Sequence, residues 1–196
     1  MKSKKMALIS VLGALTAALM YFKFPLPFMP PFMDFDFCGV PEMIGGFALG
    51  PVAAVLIIAI KLILKLVLMG TTTMFVGELS NFILSCVYVL PAIYIYRKIK
   101  TKKGAIYGLI VGTILVSLTA IFTNLCIIIP FYGKMLGLEF NVIVDMCAAV
   151  NPLIKNGISL ALFGIVPFNL IKNGIVSIIT IILYKKISRL IKGYIQ

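Results

Sequence analysis

The 196-residue chain is 62% hydrophobic and only 12% charged, with a mean hydropathy of +1.14, more apolar surface than a soluble domain of this length can bury. Its formal charge of +12 does not mark a nucleic-acid binder, because the cations flank apolar segments at Lys2, Lys4 and Lys5, at Arg97, Lys98, Lys100, Lys102 and Lys103, and at Lys185, Lys186, Arg189 and Lys192. That placement is the positive-inside pattern of a helical membrane protein, and the long unbroken apolar runs exclude barrel strands, which would alternate.

The first helix is predicted over 6–22. The basic start followed by an apolar run resembles a signal peptide, but no small-residue cleavage site followed by polar sequence appears, so it reads as a spanning helix. Within it Ala14 and Ala18 form one small-residue face and Gly13 and Ala17 a second beside it. Such faces serve either internal packing or the docking of a partner helix.

A loop over 23–37 follows, with four prolines (Pro25, Pro27, Pro30, Pro31) and two aspartates (Asp34, Asp36) among many aromatic residues. Proline fixes φ and removes a donor, and it pushes the preceding residue extended. The loop is therefore stiff and non-helical, either a plain connector or a lid over a flat apolar ligand, with Pro25, Leu26, Pro27 and Phe28 as its leading edge.

Next come a short apolar segment over 39–49 ending at Gly50-Pro51, a third helix over 51–69 and a fourth over 74–96. A fifth helix covers 105–129, a mixed stretch 131–160 has room for short interfacial helices, and the last helix covers 160–184. The expectation is an all-α integral membrane protein, one compact bundle of six transmembrane helices forming a single domain over 1–196. Six spans place all three basic clusters, and both termini, on the cytoplasmic side.

Ionisable groups inside hydrocarbon usually face a cavity or each other. Helical rise places Glu42, Lys65, Glu78 and Asn81 one to two turns from the outer ends of their segments, with Lys61 one turn below Lys65. Asn124 lies about two turns inside the fifth helix, and Asn169 and Lys172 about two to three turns inside the last. Asn169 and Lys172 share a face and follow Pro167, which can kink that helix. Either Glu42, Lys65 and Glu78 simply neutralise one another, or the whole set lines an outward-facing pocket under the loop. Amides offer donors and acceptors together, which suits a neutral many-ringed heterocycle better than a metal ion or simple anion.

Several stretches in order carry a family resemblance: Lys23-Phe-Pro-Leu-Pro-Phe28 with Asp36-Phe37, Gly50-Pro-Val-Ala-Ala54, Gly77-Glu-Leu-Ser-Asn-Phe82, Asn124 with Pro130-Phe-Tyr-Gly133, and Gly164-Ile-Val-Pro-Phe-Asn-Leu-Ile-Lys172. With them the chain resembles the substrate-binding S components of energy-coupling factor (ECF) vitamin transporters, most closely the riboflavin-specific ones. The opening-loop and Pro-Phe-Asn-x-x-Lys motifs are the specific part.

The resemblance implies a bacterial plasma-membrane protein that binds riboflavin from outside, with the opening loop closing over it. It assigns ligand contacts to Asn124, Asn169 and Lys172. Asp36, Glu78 and Asn81 are further candidates, Asp36 for the ribityl hydroxyls. It also implies that Ala14 and Ala18 dock a transmembrane coupling subunit (the T component), with two ATPase subunits driving transport. The chain has no phosphate-binding Gly-x-x-x-x-Gly-Lys-Ser/Thr loop of its own.

Other readings are an S component for a different vitamin, a membrane partner that binds no ligand, and an intramembrane enzyme. An enzyme would need a base, nucleophile or metal cluster. The chain has no histidine and six acidic residues, and its four cysteines, Cys38, Cys86, Cys126 and Cys147, lack metal spacing. No catalytic residue, metal or cofactor is expected, and riboflavin enters as the transported ligand.

Overall fold

The computed structural model describes residues 2–30, 32–71, 73–137 and 139–195. Pro31 of the opening loop and the side chains of Lys2, Lys185, Arg189 and Lys192 from the basic clusters lie outside the described residues. Helix α1 (Lys2–Tyr21) leads into the loop, whose arms pair as a minimal antiparallel hairpin of β1 (Phe24–Pro25) and β2 (Asp34–Phe35), in register Phe24 to Phe35 and Pro25 to Asp34. Then follow α2 (Gly39–Leu49), α3 (Pro51–Met69), α4 (Val76–Ile99) and α5 (Lys102–Phe122). A π-helical segment, Thr123–Ile128, joins α5 to α6 (Ile129–Leu136). After α7 (Phe140–Val150) and the one-turn α8 (Gly157–Leu160), a second π-helical segment, Ala161–Ile165, leads into α9 (Val166–Ile195).

Among the described residues, five helical stretches are long and apolar enough to cross a membrane: Ser3–Tyr21, Pro51–Met69, Val76–Ile99, Lys102–Met135 and Gly157–Tyr184. The second apolar segment is helical, as its sequence suggested, but its 11 residues rise only about 17 Å against a hydrocarbon core of about 30 Å. It stops because Gly50 has φ +101, a conformation that suits glycine, and Pro51 then opens α3 at a position where a missing N–H costs nothing. Short as it is, α2 is the most enclosed helix, buried from Val40 to Phe47.

Two apolar clusters hold the bundle. One joins Met43, Ile57, Val89, Ile93 and Leu109 from α2 to α5. The other, at the opposite end, joins Phe35 of the loop to Ile129, Val144, Ile154, Ile165 and Phe168. Helices α4 and α5 meet unusually closely, since a Cβ added at Gly108 or Gly112 would stand 2.6 Å from the Ala92 carbonyl or 2.4 Å from the Tyr88 carbonyl. The mixed stretch after α5 condenses into α6, α7 and α8, which extend the loop-side cluster.

Both π-helical segments stand directly before a proline in the first turn of the next helix, Pro130 in α6 and Pro167 in α9. A proline ring collides with the carbonyl four residues back and cannot donate to it. Widening the preceding turn gives the ring room, and π-bulges of this kind recur at functional sites.

Candidate ligand-binding cavity

A cavity of about 300 Å³ opens between the loop and the helices, within the range of small-molecule sites. Its walls come from Met20 of α1, the loop residues Lys23, Phe32, Met33, Asp34 and Asp36, Glu42 of α2, Asn81, Leu84 and Tyr88 of α4, Val116 of α5, Asn124 and Ile128 of the first π segment, Tyr132 of α6, and Phe168, Asn169 and Lys172 of α9. Apolar and polar side chains thus share the wall, with the charged groups largely paired to one another.

Asn124 and Asn169 are both buried in this wall. Each donates its amide Nδ2 to a carbonyl four residues back, Asn124 to Ala120 at 2.8 Å and Asn169 to Ile165 at 2.9 Å. A carboxamide has two donor hydrogens and a carbonyl acceptor, so each keeps an N–H and an Oδ1 for the cavity. Asn173, one turn beyond Asn169, braces it by donating to the Asn169 backbone carbonyl at 2.9 Å.

Lys172 is held from the loop. Its ammonium donates to Asp36 Oδ2 at 2.8 Å and to the Asp34 carbonyl at 3.3 Å, and stands 5.8 Å over the Phe168 ring. Burial alone would raise the Asp36 carboxyl, but the Lys172 charge and the Cys38 backbone N–H, donating at 2.9 Å, outweigh it and hold Asp36 below its ordinary value. Asp36 is therefore ionised at neutral pH, and the pair closes the loop onto α9.

The other charges at this end of the bundle form three further pairs, Lys23 with Asp34 across the two arms of the loop and two more between helices. Lys61 Nζ lies 2.6 Å from Glu42 Oε1, with both side chains wholly inside the protein. It also donates to Asn81 Oδ1 at 2.8 Å and Ser85 Oγ at 3.1 Å. Lys65 pairs with Glu78, whose other oxygen accepts from Thr71 at 3.1 Å and Thr73 at 2.9 Å. Of the alternative in which Glu42, Lys65 and Glu78 neutralise one another, the Lys65–Glu78 pair is present and the place of Glu42 is corrected: it takes Lys61 instead, because α3 turns Lys61 inward toward α2 and Lys65 toward the α3–α4 turn.

The structure therefore brings Asn124, Asn169, Lys172 and Asp36 together at one cavity. Asn81 reaches the same wall with its Oδ1 already engaged by Lys61. Glu78 borders the cavity too, but its oxygens clasp the α3–α4 turn. Pro25, Leu26, Pro27 and Phe28 are not wall residues. They form the outgoing arm and tip of the hairpin, and the returning arm, Phe32 to Asp36, faces the cavity. Alternation along paired strands turns only some side chains inward, and the proline pattern carried no signal for which arm that would be.

Tyr88, Tyr132 and Asn173 line the cavity without a signal in the sequence, and Lys61, one of the intramembrane charges, stands behind the wall rather than in it. Lys61 had a signal, a lysine in an apolar run, but its partner could not be read locally. Tyr88 donates to the Asn173 carbonyl at 3.3 Å and shares a 2.8 Å hydrogen bond with Ser177, and no spacing along the chain links residues so far apart.

The faces of α1 separate cleanly. Gly13 is buried, and a Cβ there would lie 2.5 Å from Ile60 Cγ2 of α3. Ala14 and Ala18 are exposed.

Comparison with known proteins places this architecture. A riboflavin transporter RibU of Staphylococcus aureus (strain TCH60) is 32% identical over 192 residues, 97% of this chain and 94% of the relative. A riboflavin transporter FmnP of Bacillus subtilis (strain 168) is 28% identical, over 95% of this chain and 93% of the relative. A solved structure described as the S component of a bacterial ECF transporter aligns with a TM-score of 0.75 at 30% identity, covering 98% of this chain and 99% of its own. Residues 4–184 match the family described as ECF transporter, substrate-specific component, and the chain belongs to that family.

Proposed function

We propose that this chain captures riboflavin from outside the cell in the cavity beneath the opening loop and delivers it inward as the binding subunit of an ECF-type importer. The observation that carries the reading is the convergence of Asn124, Asn169 and Lys172 on one cavity of mixed polar and apolar lining beneath the Phe32–Asp36 arm. The isoalloxazine ring gains several kcal/mol from leaving water, at about 25 cal/mol per Å² of apolar area. The two carboxamides and the ammonium pair its heteroatom edge, since an unpaired buried polar edge costs about 1–3 kcal/mol. In this reading Asp36 and the loop backbone take the ribityl hydroxyls.

In this reading the whole chain, 1–196, is one binding domain of six membrane helices with α2 as the short sixth. The basic clusters and both termini are then cytoplasmic, which the positive-inside pattern supports. The partners are a transmembrane coupling subunit and two ATPases. The exposed Ala14 and Ala18 offer the coupling subunit a face of close approach. An Ala14→Leu/Ala18→Leu variant should bind riboflavin as tightly as the parent yet lose uptake and co-purification with the coupling subunit. Retained co-purification would assign that face to lipid.

The direct test is to purify the chain in detergent from riboflavin-containing medium and record its visible spectrum, the flavin serving as reporter because the chain has no tryptophan. A yellow protein that releases riboflavin on denaturation is expected. A colourless protein that leaves added riboflavin fluorescence unquenched overturns the reading. Asn169→Leu should weaken binding at least about tenfold, the equivalent of 1.4 kcal/mol, and unchanged affinity would remove Asn169 from the site.

A further inference from the structure

The connection between α7 and α8 carries one buried polar residue that the binding site does not use. Asn151 is 9% exposed, and all of its side-chain capacity is directed within the protein. Its Nδ2 donates to two carbonyls at 3.1 Å each, that of Phe28 at the loop tip and that of Phe163 in the second π segment. Its Oδ1 accepts from the Leu153 N–H at 3.1 Å. Pro152 holds Asn151 extended, at φ −135 and ψ 102, as expected before proline.

Both carbonyls need this donor for local reasons. Phe163 lies four residues before Pro167, which has no N–H to return to it. Phe28 has φ 62, a left-handed conformation that costs a bulky residue of order 1 kcal/mol or more and persists only where the surroundings impose it. The Phe28 side chain is 68% exposed, so side-chain packing does not hold it there. Phe28 is the third residue of a turn closed by the Met29 N–H on the Leu26 carbonyl at 3.3 Å, and the Asn151 hydrogen bond to the Phe28 carbonyl fixes that turn against the second π segment. A second contact joins the same two segments. Pro30 is buried against Gly164, where a Cβ would stand 3.0 Å from the proline Cγ.

We infer that Asn151 is a positioning residue that keeps the opening loop closed over the cavity, by tying its Phe28 carbonyl to the turn that launches Asn169 and Lys172. The inference rests on the reading of the cavity as the riboflavin site and assigns Asn151 no contact with the ligand. Its effect falls on escape: the tie is broken when the loop lifts, so losing it speeds release and leaves capture nearly unchanged.

The test uses the full chain in detergent with Asn151→Asp and Asn151→Ala. Aspartate keeps the acceptor for Leu153 and loses both donors, so a residue that only shapes the turn tolerates it. Two readouts are taken, hydrogen exchange of the loop amides over 24–35 without ligand, and the riboflavin dissociation rate from fluorescence recovery on dilution. Both variants should exchange the loop amides faster and release riboflavin about tenfold faster or more, with the association rate within about threefold of the parent. Parental behaviour of the aspartate variant in either readout overturns the inference. Should the parent chain bind no riboflavin, the ligand reading falls by itself, and loop exchange in the aspartate variant still decides the tie: faster exchange upholds it and parental exchange overturns it.

Discussion

A Lys61→Met variant is expected to lose about 3–5 kcal/mol of stability, the usual cost of removing one partner from a buried ion pair. The expectation rests on enclosure. Lys61 and Glu42 are 0% and 1% exposed, and their charged atoms lie 2.6 Å apart. Methionine matches the lysine stem in length and packs well in apolar surroundings, so the loss isolates the ammonium. It leaves the enclosed Glu42 without its cation, together with Asn81 Oδ1 and Ser85 Oγ, which lose their donor. A carboxylate left so can only persist charged at high cost or take up a proton.

The double variant Lys61→Met/Glu42→Gln should recover most of the loss, because a neutral amide removes the stranded charge. Thermal unfolding followed with a thiol-reactive dye, which reports release of the buried Cys38 and Cys147, gives both numbers. Unchanged unfolding in the single variant would show that the pair contributes nothing to the fold. An additive double variant would show that the two charges are not coupled.

Lys172→Met is expected to cost riboflavin affinity at least about 100-fold, near the low end of what truncating one member of a buried charge pair costs. Two losses combine here. The ligand loses a cationic donor beside Asn169, and the returning arm of the loop loses its anchor, since Asp36 Oδ2 and the Asp34 carbonyl both accept from this ammonium. Asp36→Asn separates them: it keeps the cation for the ligand and a polar side chain for the ribityl hydroxyls while weakening the ion pair that anchors the loop, so its loss should be clearly smaller. Fluorescence titration of riboflavin on both variants, each checked for a monodisperse elution profile, makes the comparison. A Lys172→Met variant that binds within threefold of the parent would place the ammonium outside the site.

Much of the site was legible because it depends on distance along a helix. Asn169 and Lys172 are three residues apart, so any helix through them puts both on one face. The small-residue pairs of α1 were legible as two faces. Which of them is buried was not, because that depends on Ile60 of α3 filling the space at Gly13. The proline-rich loop was legible as stiff and non-helical. The returning arm's role as the wall was not, because it follows from pairing Phe24 with Phe35 and from a lysine 136 residues away.

By itself the sequence determined the membrane class, the apolar segments and the break at Gly50-Pro51, since hydropathy and turn chemistry are local properties. Only the tertiary structure decided that Lys61 rather than Lys65 meets Glu42, that α2 is a short helix enclosed by the bundle, and that Asn151 joins the loop tip to the turn before Pro167. Those outcomes depend on the rotation of each helix against its neighbours. In hydrocarbon that rotation is set by close packing and by the need of every buried charge and open carbonyl for a partner, and the partner sits on another segment.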